Sequence, residues 1–357
     1  MTVRHGEKIR TIIRDMKYIH ELTHDAGITD VLPAAGCPVK LNGRNRVNIL
    51  ALGDVGTTML TGLILLGGDV ISEIGILDIR RENLERLEME MNQIGYPFGM
   101  KEVPLVHILS EEELFDCDLM IFCASRGVPP VKSEVTDVRM AQLEANREII
   151  AHYGRLARAA EYKGMVAVVS DPVDNLAAAF LDSAELEPWQ IQGYGLGVMN
   201  KRAEYYADKI ASGELAAAGD QTVTPELREA AALYLSEGRA YGPHGQDLVI
   251  ANSMDRYDEA ASELLTELTV NANIRVRDLG FKPYIAPALS SAAISVLLTL
   301  RGEWHYGSVY FGSRDRGAFL GIRNRLTAEG WEYEDIPLPE PLYERIRKAY
   351  NNLCEIR

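Results

Sequence analysis

The segment Val47-Asn48-Ile49-Leu50-Ala51-Leu52-Gly53-Asp54-Val55-Gly56 runs a short apolar stretch into a glycine turn and then into a helical pattern. Glycine lets a backbone approach a diphosphate closely, and the first turn of the following helix offers unpaired N–H groups to its charge. The common form of such a turn is Gly-x-Gly-x-x-Gly, and here the first glycine is replaced by Ala51. A second apolar stretch ends in Ile76-Leu77-Asp78-Ile79, with Asp78 22 residues after Gly56. A carboxylate near that spacing accepts hydrogen bonds from ribose hydroxyls and repels a 2′-phosphate. Together these features point to a dinucleotide, NAD rather than NADP, with Gly53, Asp54, Val55, Gly56 and Asp78 as its contacts.

Those residues need a frame. From Val47 onward, short apolar runs alternate with helical segments, the pattern of a parallel sheet built from strand–helix–strand units. Strands are expected at Val47 to Leu52, Ile74 to Ile79, Leu119 to Cys123 and Met165 to Ser170, with helices at Thr57 to Leu66 and about Val138 to Tyr162. After about Gly195 the alternation loosens. Helices are expected at Lys201 to Ser212, Thr224 to Glu237, Arg256 to Val270 and Ser290 to Leu300, then a strand at Trp331 to Pro337 and a closing helix at Pro341 to Glu355. Ahead of the sheet, Ile9, Ile12, Ile13, Met16, Ile19 and Leu22 sit at helical spacing and predict a helix over Lys8 to His24. It packs either on its own domain or on another subunit. The fold class is α/β: a doubly wound parallel sheet of the Rossmann type followed by a second, α+β domain. The boundaries fall at 1–45 for a helical appendage, 46–194 for the dinucleotide domain and 195–357 for the second domain.

At 357 residues the chain has the length of about two domains. Acidic residues outnumber basic ones, 52 to 37, for a net charge of −15, which argues against nucleic acid or an anionic membrane as partner. Cys37, Cys117, Cys123 and Cys354 show no metal-ligand spacing, so they are expected to be buried reduced thiols and no metal is expected. The N-terminus is charged and lacks the apolar stretch of a secretory signal, which points to the cytoplasm. The longest uncharged stretch, Pro283 to Leu300, contains Pro287 and several serines and fits a loop leading into a buried helix.

Further segments arrive in an order that resembles the lactate/malate dehydrogenase family. Leu119 to Ser125 looks like the strand and turn that touch the adenosine half of NAD, with Cys123-Ala124-Ser125 where the family has Cys-Ala-Gly. Arg139 to Asn146 resembles its Arg-x-x-x-x-x-x-Asn helix. Val168-Val169-Ser170-Asp171-Pro172-Val173-Asp174 looks like Val-Val-Ser-Asn-Pro-Val-Asp, and Gly242-Pro243-His244-Gly245-Gln246-Asp247 like Gly-Glu-His-Gly-Asp-Ser. The similarity runs from Val47 through Gly317-Ala318-Phe319-Leu320-Gly321 and leaves out the N-terminal appendage.

The resemblance implies that the second domain is catalytic and that hydride passes between NAD(H) and a 2-hydroxy or 2-oxo acid in a homodimer or homotetramer. A carbonyl that takes hydride needs a proton, and histidine is the acid best matched to neutral pH; His244 takes that role. Arg202 is placed to hold the substrate carboxylate with a planar pair of donors. Arg139, on the closing loop, polarises the substrate carbonyl. Asn146 faces the nicotinamide or substrate, Cys123, Ala124, Ser125, Val169 and Asp171 border the cofactor, and Pro283 replaces a small or hydroxyl pocket residue.

Two departures bear on the chemistry. The family places an aspartate three residues before the carboxylate-binding arginine, to orient the histidine; here that position is Met199, and a thioether cannot hold an imidazolium. The family asparagine before the proline has become Asp171. One carboxylate lost and another gained suggests that Asp171 partners His244. A carboxylate at the reacting centre also suits a cation, as in an imine or amino-substituted acid. The loop from Arg126 to Asp137 is longer than the family's lid, with Arg126 and Lys132 as candidates for a second carboxylate. A non-catalytic NAD-binding paralogue is the competing class. A metal-dependent glycosidase of the same nucleotide fold is disfavoured because no cysteine lies between Cys123 and Cys354.

Overall fold

Strands apolar on both faces must be covered on both sides, and here they build one sheet with helices packed over it. The computed structural model describes residues 16–126, 138–218 and 221–356. Among the described residues nine strands share a sheet: β1 (Asn45–Leu50), β2 (Ile71–Leu77), β3 (Leu105–Ile108), β4 (Leu119–Phe122), β5 (Met165–Val168), β6 (Ile191–Gly193), β7 (His305–Gly312), β8 (Gly317–Thr327) and β9 (Gly330–Tyr333). Their spatial order is β9-β8-β7-β6-β5-β4-β1-β2-β3. The first six are parallel, and β1 lies between β2 and β4, with Val47 opposite both Ile74 and Leu119. The chain therefore reverses its direction of travel across the sheet at β1 and β4, and in open α/β sheets ligands bind in the crevice at such a switch point. Helices α1 (Asp54–Leu66), α2 (Arg81–Met91), α3 (Val138–Ala159) and α4 (Val173–Ala184) make the crossovers.

Apart from short two-stranded pairs such as Arg239–Tyr241 with Val249–Ala251, the second half of the chain adds its strands to the same sheet. The β7–β8 hairpin joins the parallel strands through Ser308 opposite Gly193 and extends the sheet antiparallel. Helices α5 (Leu196–Ser212), α6 (Pro225–Ala232) and α7 (Glu259–Val270) pack on one another around Leu196, Val198, Ile210, Leu264 and Leu268. Helix α8 (Glu340–Ile356) closes the chain. The uncharged stretch from Pro283 enters a π-helical segment, Pro287–Ile294, and then the helix Ser295–Leu300, largely buried, as expected. Among the described residues no helix is long and apolar enough to cross a membrane.

The expected helix over Lys8 to His24 is corrected in its second half; its residues before Met16 lie outside the described residues. Met16–Lys17 is a short strand on Leu338–Pro339, and helix is confined to Glu21–Asp25. Ile19 and Leu22 are fully buried in the main core, and Tyr343 of α8 donates to Asp25 at 2.9 Å. Those two residues thus serve this chain's own core. The Thr224 to Glu237 segment is broken into Pro225–Ala232 and Tyr234–Glu237. Strands β3 and β6, the β7–β8 hairpin, and helices α2 and α4 are elements beyond the sequence expectation.

Candidate active site

The glycine turn leads from β1 into α1. Ala51 holds the left-handed conformation of the missing glycine, with φ of 73°, at a strain of roughly 1–2 kcal/mol. Gly56 cannot be replaced so easily: a Cβ there would lie 2.2 Å from the Ala51 carbonyl oxygen. Gly53 caps the helix without any side-chain bond to its first amides, and among the described residues nothing lies within 4 Å of where its Cβ would be. Asp78, just past β2, accepts from the Leu52 amide at 2.7 Å and the Arg80 amide at 3.0 Å, which fixes its carboxylate beside the turn.

Below the turn, the ends of β4, β5 and β6 enclose a cavity of about 170 Å³. Val55, Cys123, Ser125, Val169, Asp171 and His244 are among its walls, joined by Tyr194, Pro287 and Ser291. Ser170 donates to the Ala124 carbonyl at 2.8 Å and so ties the β4 and β5 ends together. Asn146 of α3 is fully buried. Its amide oxygen accepts from the Arg126 backbone at 3.0 Å, and its nitrogen donates to the Asp171 carbonyl at 3.0 Å and the Ser125 hydroxyl at 3.4 Å. A buried amide has to satisfy its polar atoms, and Asn146 does so on these two loops instead of facing the cavity.

His244 arrives from the second half of the chain. Gly195 admits it, since a Cβ at Gly195 would lie 2.7 Å from that of His244. The His244 Nδ1 meets Asp171 Oδ1 at 2.8 Å, and among the described residues its buried Nε2 has no hydrogen-bond partner. The His244 backbone N–H donates to Asp174 at 3.4 Å. Burial pushes the Asp174 carboxyl up to about 6. On α5, the Met199 sulfur lies 3.7 Å from Arg202 Nη1, and Arg202 Nη2 donates to Asn273 Oδ1. Among the described residues Arg202 has no carboxylate partner, and burial pushes its guanidinium below its ordinary value. Such a cation, mostly removed from water and held by a neutral amide, is suited to an incoming anion.

A model of the lactate/malate dehydrogenase NAD binding domain matches residues 45–193. The L-lactate dehydrogenase of Mycoplasma pneumoniae is 26% identical over 167 residues, 45% of this chain and 49% of that protein. The chain spans about half the length of the curated relatives it matches. Among solved structures, the minor L-lactate dehydrogenase of Enterococcus mundtii has a TM-score of 0.68 at 20% identity, over 88% of this chain and 98% of that one. The malate dehydrogenase of Picrophilus torridus has a TM-score of 0.66 at 17% identity, over 88% and 96%. Those structural likenesses carry the fold. Residues 45–193 thus match the NAD binding domain of the lactate/malate dehydrogenase family.

The lactate/malate dehydrogenase domain is an NAD-binding one, and the residues present fit that cofactor. The open face at Gly53, the first-turn amides of α1, which the N-cap does not cover with a side chain, and the close passage that Gly56 permits suit a pyrophosphate, and Asp78 retains oxygen lone pairs for a ribose. Several expected residues sit differently. Pro283 is not among the cavity's lining residues; Pro287 and Ser291, one and two helical turns further on, take that wall because the π-helical segment is the part packed inward. Arg202 also stands outside the lining set, and Ala124 contributes its backbone. Arg139 belongs to α3, but its side chain lies outside the described residues, as do Gly127 to Asp137 of the long loop. Cys117 and Cys123 are pushed up to about 12 by burial, in keeping with protonated thiols. Asp174, Tyr194 and Ser291 were missed as site residues. Asp174 stood in plain view in the Val168 to Asp174 motif, whereas nothing local in sequence marked the other two.

Proposed function

We propose that this protein is an NAD-dependent oxidoreductase that transfers hydride between NAD(H) and a 2-hydroxy or 2-oxo acid. The observation that carries this reading is the His244–Asp171 pair at the cavity below the NAD turn. NAD supplies or accepts the hydride; the chain's residues handle the proton and the charges. His244 gives its proton to the substrate oxygen as the alcohol forms, and takes it back in oxidation. Asp171 orients the ring and stabilises its charged form, the work of the aspartate that Met199 has displaced. Arg202 holds the substrate carboxylate, Arg139 polarises the carbonyl, and Asn146 braces the loops that carry Ser125 and Asp171. The family resemblance extends the proposal to a homodimer or homotetramer in the cytoplasm acting on a small carboxylate.

NADH oxidation at 340 nm, against mono- and dicarboxylic 2-oxo acids with and without ammonium or a primary amine, tests it. Turnover with an oxo acid alone is expected. Turnover that requires the amine would instead make Asp171, half exposed at the cavity, the counter-charge of an imine. NADH binding without turnover on any substrate would replace this reading with a non-catalytic NAD-binding paralogue.

A further inference from the structure

The NAD turn carries its own negative charge. Asp54, the first residue of α1, places a half-exposed carboxylate at the helix end whose amides suit the pyrophosphate. An anion there steadies the helix through its dipole, but it also opposes an incoming pyrophosphate. Lys282 meets it: Nζ lies 2.9 Å from Asp54 Oδ2, across 228 residues of sequence. The approach is built into the packing of two elements. Lys282 leads into the π-helical segment Pro287–Ile294, which lies so tightly on α1 that a Cβ on Gly62 would sit 2.9 Å from Ala293 Cβ and 3.0 Å from Leu289 Cδ2. The second half of the chain thus delivers a cation to the one acidic side chain of the glycine turn.

We propose that Lys282 sets the affinity for NAD(H) by cancelling the charge of Asp54 at the pyrophosphate turn, a role that rests on the NAD assignment of that turn. Lys282 acts through Asp54. Without its ammonium, the carboxylate opposes the pyrophosphate unscreened; for exposed unit charges about 3–4 Å apart in a water-like dielectric, such repulsion changes a binding constant by roughly five- to tenfold. Because the pair is largely exposed, its contribution to folding is small, and loss of the lysine leaves the fold in place.

The test is NADH fluorescence titration of the full chain as wild type, Lys282→Gln, Asp54→Asn and the double variant, with thermal unfolding of each. Lys282→Gln is expected to raise the NADH Kd about five- to tenfold with an unchanged Tm, and the gap should narrow at high salt. Adding Asp54→Asn is expected to bring Kd back to within about twofold of wild type. A Lys282→Gln variant that binds like wild type overturns the proposal. So does a double variant as weak as Lys282→Gln, because the lysine would then act independently of Asp54. Failure of the wild type itself to bind NADH would overturn the cofactor assignment, and that result is separate from any difference among the variants.

Discussion

Met199 lies one helical turn before Arg202, where its sulfur contacts the guanidinium, and the imidazole of His244 finds its carboxylate 73 residues upstream at Asp171. The sequence showed that one carboxylate had gone and another had come; it could not show that they serve the same ring. Asp171→Asn keeps the shape and removes the charge, and kcat/KM for the oxo acid is expected to fall by about 10²-fold or more, the scale of a general acid's contribution. Steady-state kinetics would show it, and a variant with wild-type kcat/KM would remove Asp171 from the mechanism. Restoring the family's residue by Met199→Asp is expected not to raise activity. The new carboxylate would sit against Arg202 and compete with the substrate's own, so KM should stay the same or rise; a clear gain in kcat/KM would show that the histidine lacks an effective partner in the wild type.

Helix α5 carries Arg202, and its first turn is held from outside. Ser291 of the π-helical segment donates to the Gly195 carbonyl at 2.6 Å and accepts from the Val198 amide at 2.8 Å, so it serves as an N-cap supplied by another element. Ser291→Ala is expected to cost about 1–2 kcal/mol, the worth of a cap and a buried hydrogen bond, and to lower Tm by roughly 2–4 °C. Calorimetry would measure this, and an unchanged Tm would mean that the turn is held by packing alone. The same burial explains why the sequence reading began this helix at Lys201. Leu196, Gly197, Val198 and Met199 are all buried, so the first turn has no polar face and no 3.6-residue alternation to recognise. The β7–β8 hairpin escaped for a similar reason: buried residues run along β8 on both faces from Gly317 to Ile322, which leaves no period of two.

Two buried titratable groups act on the stability of the whole molecule in opposite directions. Asp174 titrates near 6, above its ordinary 3.8, because burial disfavours its charge. Between those values the native state holds a proton that the unfolded chain lacks, so this stabilisation is full below about pH 4 and is lost as pH rises through 6. His305, buried beside Thr299 and Gln192, is pushed down from 6.5 to about 4. Its contribution is present above pH 6.5 and is lost as pH falls toward 4. Over pH 4–6 the two slopes oppose, each about 1.4 kcal/mol per pH unit. Asp174→Asn removes one of them, so the variant is expected to lose stability on acidification more steeply than wild type by up to that amount. Denaturant unfolding at pH 6, 5 and 4 would test this, and parallel curves would mean that Asp174 holds no such proton.

The sequence by itself determined the parallel sheet, the NAD turn and its acidic partner, because those features are local: a strand, a turn and a helix within about thirty residues, or a repeated alternation of such units. The pairing of Val47 with Ile74 and of Ala51's turn with Asp78 follows from that regularity. Tertiary structure alone decided which carboxylate meets His244, that Arg202 rests on the neutral Asn273, that Asn146 braces loops, and that Lys282 reaches Asp54. Each of those contacts joins segments between 20 and 228 residues apart. The contacts of His244 and Lys282 depend on how the second half of the chain packs on the sheet, through β7 on β6 and the π-helical segment on α1, whereas those of Asn146 and Arg202 close within one half; no periodicity along the chain encodes any of them.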